Sequence, residues 1–502
     1  MTALLEPSPA PGASGMLDLV SGRLLSPVFV GREPELATLR EQLAEAAAGR
    51  PGVVVVGGDA GVGKTRLVEE FVRSAHDEAD VLVGGCLDLG DNGLAFTPFV
   101  AALRDLVRQR GQAAVAELIG PGRLELAALV PELAPAGSEP MPAAGPSSDL
   151  LRLYEAATDL LERASRDRPL VLVLEDLHWA DRSSRDLLGF LARTLRDSRV
   201  LVVATFRADD LHRTHPLRPF LAELDRVRGV SRLTLDRLDR DDVAAQMAAL
   251  LGRPPSDDEL DRVYERSEGN PLFVEELACC FPESGLPDSL RDLLMIRTER
   301  LDRTARQVLQ VVAVIGARAD YPLIAAVAEQ PEPALADALR AGVEANVLVA
   351  DTEADAFTFR HSLLRDAIHD DLLPGEHARL HARVARTVTE SPALVRPDRL
   401  PAEVAHHWDA AHDQPKALAA AYVAAEQAER VHAYAEQLHL LERMLGLWSV
   451  VPDAEAVAGV DLVTVLRDAV RAAARAGVAD RVEPLSDQLV AEAEKGDDPL
   501  RL

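Results

Sequence analysis

Eight residues, Gly58-Asp59-Ala60-Gly61-Val62-Gly63-Lys64-Thr65, follow a run of four valines, Val53 to Val56, and open into Arg66-Leu-Val-Glu-Glu-Phe-Val. A buried strand, a glycine-rich turn and a helix start in that order constrain the fold more than any other segment. The spacing G-x-x-x-x-G-K-T wraps backbone N–H groups around phosphate oxygens at a helix N-terminus. Glycine allows the positive φ and the close approach that such a turn needs. Lys64 is placed to reach β- and γ-phosphates, and the Thr65 hydroxyl to ligate Mg²⁺. The chain has only three lysines, Lys64, Lys416 and Lys495, among many arginines. Where cations are otherwise written as Arg, a retained Lys suits a cradle that needs a compact ammonium.

Valine and leucine runs recur at Val53–Val56, Val81–Val83, Leu170–Leu174, Val200–Ala204 and Val230–Leu235. They are short and nearly continuous, the pattern of strands covered on both faces, and helical patterns separate most of them. This predicts a doubly wound α/β P-loop NTPase domain with a parallel sheet over residues 27–235. The first 26 residues read as a disordered tail. Pro121 to Ser148, crowded with Pro, Gly, Ala and Ser, reads as a long inserted loop. A helical lid follows over 236–285, with helices at Asp239–Leu251, Asp257–Glu268 and Leu272–Cys280. Residues 286–375 read as a winged-helix unit: several helices and a hairpin pairing Val347–Ala350 with Ala356–Phe359. From 376 to 502, Ala-rich helical segments predict stacked hairpins of tetratricopeptide-like type.

With 502 residues, 48% of them apolar, the chain divides into several globular units. A net charge of −28 argues against broad contact with nucleic acid or anionic membrane. Cys86, Cys279 and Cys280 form no disulfide framework and read as reduced thiols, which predicts a cytoplasmic protein. No secretory signal or bilayer-length apolar segment is read.

Leu170-Val-Leu-Val-Leu174 ends in Glu175 and Asp176, where a P-loop fold needs one acid for the Mg²⁺ shell and another to orient the attacking water. Alternation along a strand predicts that these two side chains point to opposite sides. The strand Val200–Ala204 runs on into Thr205-Phe-Arg207, which puts Arg207 in the ligand crevice as a reader of the γ-phosphate. His178 and Trp179 are read as covering the site. His377 and His381 stand i,i+4 on a helix, but no third ligand is apparent, and neither they nor His406 and His407 predict a metal site.

In order, Phe29-Val-Gly31-Arg32-Glu33, the Lys64 loop, Glu175-Asp176-Leu-His-Trp-Ala-Asp181, Thr205-Phe-Arg207, Gly269-Asn-Pro271-Leu-Phe and Phe359-Arg-His361-Ser-Leu-Leu-Arg-Asp resemble the STAND-class signalling ATPases. More narrowly, they resemble the large ATP-binding regulators of the LuxR type, over about residues 28–450. The resemblance implies ATP and ADP as ligands with Mg²⁺, and slow ATP hydrolysis serving a switch in signal transduction and transcription regulation. It puts Gly31 and Arg32 near the base and ribose. Lys64 and Thr65 then hold phosphates and Mg²⁺, with Glu175 and Asp176 at the magnesium-side and catalytic-acid positions. Arg207 is the γ-phosphate sensor, Pro271 packs on adenine, and His361 contacts the β-phosphate of ADP.

The first acid is Glu where Asp is commoner, so the division between Glu175 and Asp176 stays open. Ser362 stands where related switches carry Asp. The chain stops at Leu502 without a second helix-turn-helix pattern, as in a shortened relative, half of a split gene or an incomplete reading frame. An inducer or partner protein is expected on the helical tail, and the ATP state leaves room for a homo-oligomer. Two other readings remain. One is a DNA-handling ATPase gripping duplex through Arg291, Arg297, Arg300, Arg303 and Arg306, although interleaved acids argue against direct DNA contact. The other is a nucleotide-bound scaffold without turnover.

Overall fold

A computed structural model describes residues 29–86, 94–134, 146–279, 290–352 and 354–495. The five apolar runs form five strands: β1 Gly52–Gly58, β2 Asp80–Gly85, β3 Leu170–Glu175, β4 Val200–Arg207 and β5 Val230–Thr234. They make one sheet of order β2-β3-β4-β1-β5 with every neighbour parallel. Side-chain alternation explains the continuous runs. Val53, Val55, Leu172, Leu174, Val202 and Ala204 enter the core on one face of the sheet. Val54, Val56, Val171, Val173, Leu201 and Val203 enter the core on the other. Each such buried side chain contributes roughly 1.5–3 kcal/mol, so neither face tolerates a polar residue. β5 departs from this pattern. As the edge strand beside β1 it leaves Arg232 and Thr234 exposed.

The Pro/Gly-rich stretch from Pro121 is not the loop its composition predicted. Gly120–Gly122 and Pro131–Leu133 are 3₁₀ turns around a helix, Arg123–Leu129. Leu126, Leu129 and Leu133 are buried in the main core, and that apolar burial overrides the turn-forming composition. Residues 135–145, the predicted tail at 1–26 and the lid boundary at 285 lie outside the described residues.

Beyond β5 come helices Arg240–Leu251, Asp257–Ser267 and Pro271–Cys279. Asp239 caps the first, and Ser256 with Glu259 forms a capping box on the second. The predicted hairpin is present as β7 Leu348–Asp351 against β8 Ala356–Phe359. A strand that the sequence reading did not foresee, β6 Arg318–Asp320, joins it in an antiparallel sheet of order β6-β8-β7. Helices Arg303–Ile315 and Glu332–Glu344 share a core with this sheet.

From Pro374 onward the described residues are helical, with successive helices packing on one another. This region is not an independent appendage. The helix Tyr434–Trp448 packs on Arg182–Thr194, and Ala428 and Ala433 join the core of the α/β unit. The buried Glu436 carboxylate accepts hydrogen bonds from the Ser183 amide at 3.1 Å and the Ser183 hydroxyl. Nearby Asp181, which caps Arg182–Thr194, has its pKa pushed up to about 7 by burial and by Glu436. Among the described residues, no helix is long and apolar enough to cross a membrane.

Candidate functional site

At the C-terminal ends of β1, β3 and β4 the chain encloses a cavity of about 300 Å³. Strand carboxyl ends are where open parallel sheets place ligands. The loop between β1 and the helix Lys64–Ala75 forms one wall. Gly61 and Gly63 have φ of +77° and +101°, and no side chain caps the helix, so its first-turn amides face the cavity uncapped. Lys64 Nζ donates to the carbonyls of Gly58 and Asp59, both at 2.7 Å. Burial lowers its pKa to about 8, partly opposed by the Asp176 carboxylate. An anion placed beside this ammonium favours its charged form.

The Gly269-Asn270-Pro271 turn is latched onto the same loop. Asn270 Nδ2 donates to the Ala60 carbonyl at 2.9 Å, and Asn270 Oδ1 accepts from the Leu272 and Phe273 amides. Gly269 has φ +78°, and a Cβ there would stand 2.1 Å from the Leu238 carbonyl oxygen. Only glycine fits. Asp209, just past β4, accepts from the Ala60 amide with both oxygens at 3.1 Å. Sequence reasoning gave Asn270 and Asp209 no role. Their only advance signal was the break in helical pattern at Gly269 and the adjacency of Asp209 to Arg207.

Glu175 and Asp176 both line the cavity. β3 ends at Glu175, and Asp176 adopts a left-handed conformation with φ +59°, which breaks strand alternation at that residue. Its amide donates to the Thr205 hydroxyl at 3.0 Å, which explains the Thr at the end of β4.

The opposite wall comes from Phe359 to Leu363 and Arg365. Arg207, 5% exposed, spans the two walls. Its guanidinium donates to Asp366 at 3.2 Å and to the Ser362 hydroxyl, with Asp210 at 3.5 Å. Ser362, where the resemblance leads one to expect Asp, therefore contacts Arg207 directly. Trp179 meets two cations, with the Arg207 and Arg365 guanidinium carbons each 5.0 Å from its ring centroid. His178 is buried, receives the Arg207 amide on Nδ1 at 3.4 Å, and has its pKa depressed by burial and by Arg207. The ring is neutral, and supports Arg207 from beneath.

Of the residues named from sequence, Arg32, Ala60 to Thr65, Glu175, Asp176, Arg207, Pro271 and His361 line one cavity; Gly31, Gly58 and Asp59 stand behind it. Gly58 and Asp59 hold Lys64 through their carbonyls, and Gly31 packs against Asp242. Arg32 is committed to the protein. Its guanidinium donates to the Val62 carbonyl at 3.2 Å and the Asp236 carbonyl at 2.5 Å, bracing the loop. Arg365 and Asp366 close the motif that begins at Phe359 but were given no role from sequence, and Gln246 was not singled out at all. Side chains separated by 150 positions or so meet only through packing.

Two further expectations are revised. Arg291 stays exposed, 3.8 Å from Asp370, whereas Arg297 pairs with the buried Glu276 at 2.7 Å and is thereby turned from a duplex-binding face. His377 and His381 do have a third histidine, His369, and a second group joins His381 to His406 and His407.

A parallel sheet with this loop at the carboxyl end of β1 defines a P-loop NTPase core. Residues 28–203 match the AAA ATPase domain family, about a third of the chain. An uncharacterized protein of Rhizobium meliloti (strain 1021) is 29% identical over 404 residues, covering 74% of this chain and 38% of that protein. A signal transduction ATPase with numerous domains (STAND) with a tetratricopeptide repeat sensor, from Pyrococcus horikoshii, superposes with a TM-score of 0.50 at 14% identity. That match covers 94% of this chain and 65% of that one. The structural likeness speaks to fold alone. The chain thus spans less than two thirds of each of these proteins.

Proposed function

We propose that this chain is an ATP-binding, slowly ATP-hydrolysing switch of signal transduction, of the kind seen in LuxR-type transcriptional regulators. The observation that carries the reading is Arg207, which joins the phosphate-loop wall to the wall bearing His361 inside one cavity. In this reading the chain divides into an α/β unit at 27–235, a helical lid at 236–285, a winged-helix unit at 286–375 and a tetratricopeptide-like region at 376–502. The Pyrococcus horikoshii protein, a STAND ATPase with a tetratricopeptide repeat sensor, supports that division by analogy.

Lys64 and the loop amides bind the β- and γ-phosphates, and Pro271 stands where adenine would pack. The oxygen donors Thr65, Glu175 and Asp176 share the cavity and suit Mg²⁺, which takes hard oxygen ligands. When bound, Mg²⁺ neutralises charge on the phosphates. Of the two acids, Asp176 is the one whose backbone is fixed by Thr205, and we assign it to orienting water, with Glu175 on the metal side. A γ-phosphate competes with Asp366 and Ser362 for the Arg207 guanidinium, and this competition couples triphosphate binding to separation of the walls. Moving such an equilibrium from mostly closed to mostly open requires about 5.5 kcal/mol of differential binding. Two or three charge-assisted bonds at about 1.5–3 kcal/mol each supply it.

The test is small-angle scattering of the purified chain with Mg·ADP and with a non-hydrolysable Mg·ATP analogue, alongside phosphate release from ATP. Expansion with the analogue and slow turnover support the switch. Identical scattering profiles with both nucleotides bound would rule it out.

A further inference from the structure

Far from the phosphate loop, five histidines gather where three helices meet: His369 near the end of Ser362–Asp370, His377 and His381 on Pro374–Glu390, and His406 and His407 on Leu400–Ala410. The i,i+4 spacing sets His377 and His381 on one helical face, with ring centroids 4.3 Å apart. His369 reaches them from the preceding helix at 5.0 and 5.8 Å. One nitrogen from each of these three rings lies within 4.8 Å of the others. Nitrogens bound tetrahedrally at about 2.0–2.1 Å from a cation stand roughly 3.3 Å apart, so small rotamer shifts suffice to close the set.

His381 is the pivot. It is 2% exposed, in a seam between two apolar cores that contain Val384 and Val388 on one side and Ala385, Ala405 and Trp408 on the other. Its Nδ1 pairs with His407 Nδ1 at 2.9 Å, whereas its Nε2 is buried with no hydrogen-bond partner. An unsatisfied ring nitrogen costs about 1–3 kcal/mol at such a position. A Nδ1–H donated to His407 leaves a lone pair on Nε2, the arrangement by which outer partners orient ligating imidazoles. An imidazole binds a cation through a neutral ring nitrogen, and the unpartnered Nε2 supplies one here. An all-imidazole donor set suits Zn²⁺, Ni²⁺, Co²⁺ or Cu²⁺ rather than Mg²⁺ or Ca²⁺.

We propose that His369, His377 and His381, the last through Nε2, bind one divalent d-block cation of the Zn²⁺ class. The more open triad is assigned because His369 and His377 are only half buried, which gives the ion an entry path, whereas His407 is buried. The cation ties the helix that begins at Ser362, in the nucleotide cavity wall, to the next helix.

The experiment uses the untagged full chain, stripped with a chelator and titrated with Co²⁺. A saturating d–d absorption at one equivalent, displaced by Zn²⁺, is expected. His377→Gln should weaken Zn²⁺ binding by at least about tenfold, and His406→Gln should leave it within about twofold. Retained nucleotide binding in both variants shows that they fold; should His377→Gln not fold, His369→Gln takes its place. The absence of saturable Co²⁺ or Zn²⁺ binding to the parent chain overturns the proposal, as does parental affinity in His377→Gln. Loss in His406→Gln alone overturns the assignment to this triad.

Discussion

The two walls of the nucleotide cavity are built in different ways. The loop wall is eight consecutive residues whose conformation follows from local chemistry: glycines at positive φ, a helix start, and a lysine held by its own loop carbonyls. The opposite wall, Phe359 to Arg365, has no local reason to face a phosphate site. It does so because Arg207 reaches it across the cavity and both Arg207 and Arg365 contact the Trp179 ring. A wall fixed by covalent neighbours is rigid. One fixed by an ion pair and a cation–π stack can be released, since such contacts contribute only a few kcal/mol.

The largest expected effect belongs to the rigid wall. Lys64→Ala should weaken ATP and ADP binding by more than about 100-fold, roughly 3 kcal/mol, with an unchanged circular dichroism spectrum. Calorimetric affinity equal to the parent would remove the phosphate-site assignment. Arg207→Ala tests the releasable wall. ATP should lose about tenfold in affinity and ADP far less, consistent with one lost charge-assisted bond. Equal losses for both nucleotides would make Arg207 a structural tie rather than a γ-phosphate reader.

Between the walls lies the Gly269-Asn270-Pro271 latch. Asn270→Ala removes the bond to Ala60 and the cap on Leu272 and Phe273, and about 1–2 kcal/mol of stability should follow it. The melting temperature should recover partly with saturating nucleotide, because the ligand re-orders the loop. No change in melting would show that the latch is incidental.

The smallest effect is in protons. Lys64 has a pKa near 8, below its ordinary range, because it is buried. A bound phosphate stabilises the ammonium and raises that pKa, so binding must take up protons where the free site is partly deprotonated. Near pH 8 the uptake should approach about half a proton per site, fading toward pH 6 where the ammonium is already charged. Calorimetry in two buffers of different ionisation enthalpy measures it; no buffer dependence at pH 8 would contradict the buried-lysine picture.

The sequence was most legible where a property is periodic or local. Apolar runs located all five strands of the parallel sheet; the centres of β1, β3 and β4 are apolar because both their faces are buried, whereas the edge strand β5 keeps its run despite exposing Arg232 and Thr234. The phosphate loop was legible because its glycines answer to backbone conformation rather than to partners. Composition misled at Pro121 to Leu133, where burial of Leu126, Leu129 and Leu133 decides the structure. Alternation could not foresee Asp176, where a single left-handed residue turns the chain.

By itself, then, the chain of residues determined a sheet, a phosphate cradle and the set of groups able to surround it. Tertiary packing alone decided that Arg32 braces the loop, that Arg207 meets Ser362 and Asp366, that five histidines converge, and that Glu436 anchors the helical region onto Ser183. The physical reason is distance. Backbone conformation is set within a few residues, whereas an ion pair or a buried hydrogen bond needs two groups whose meeting is fixed only when whole helices find their places against a common core.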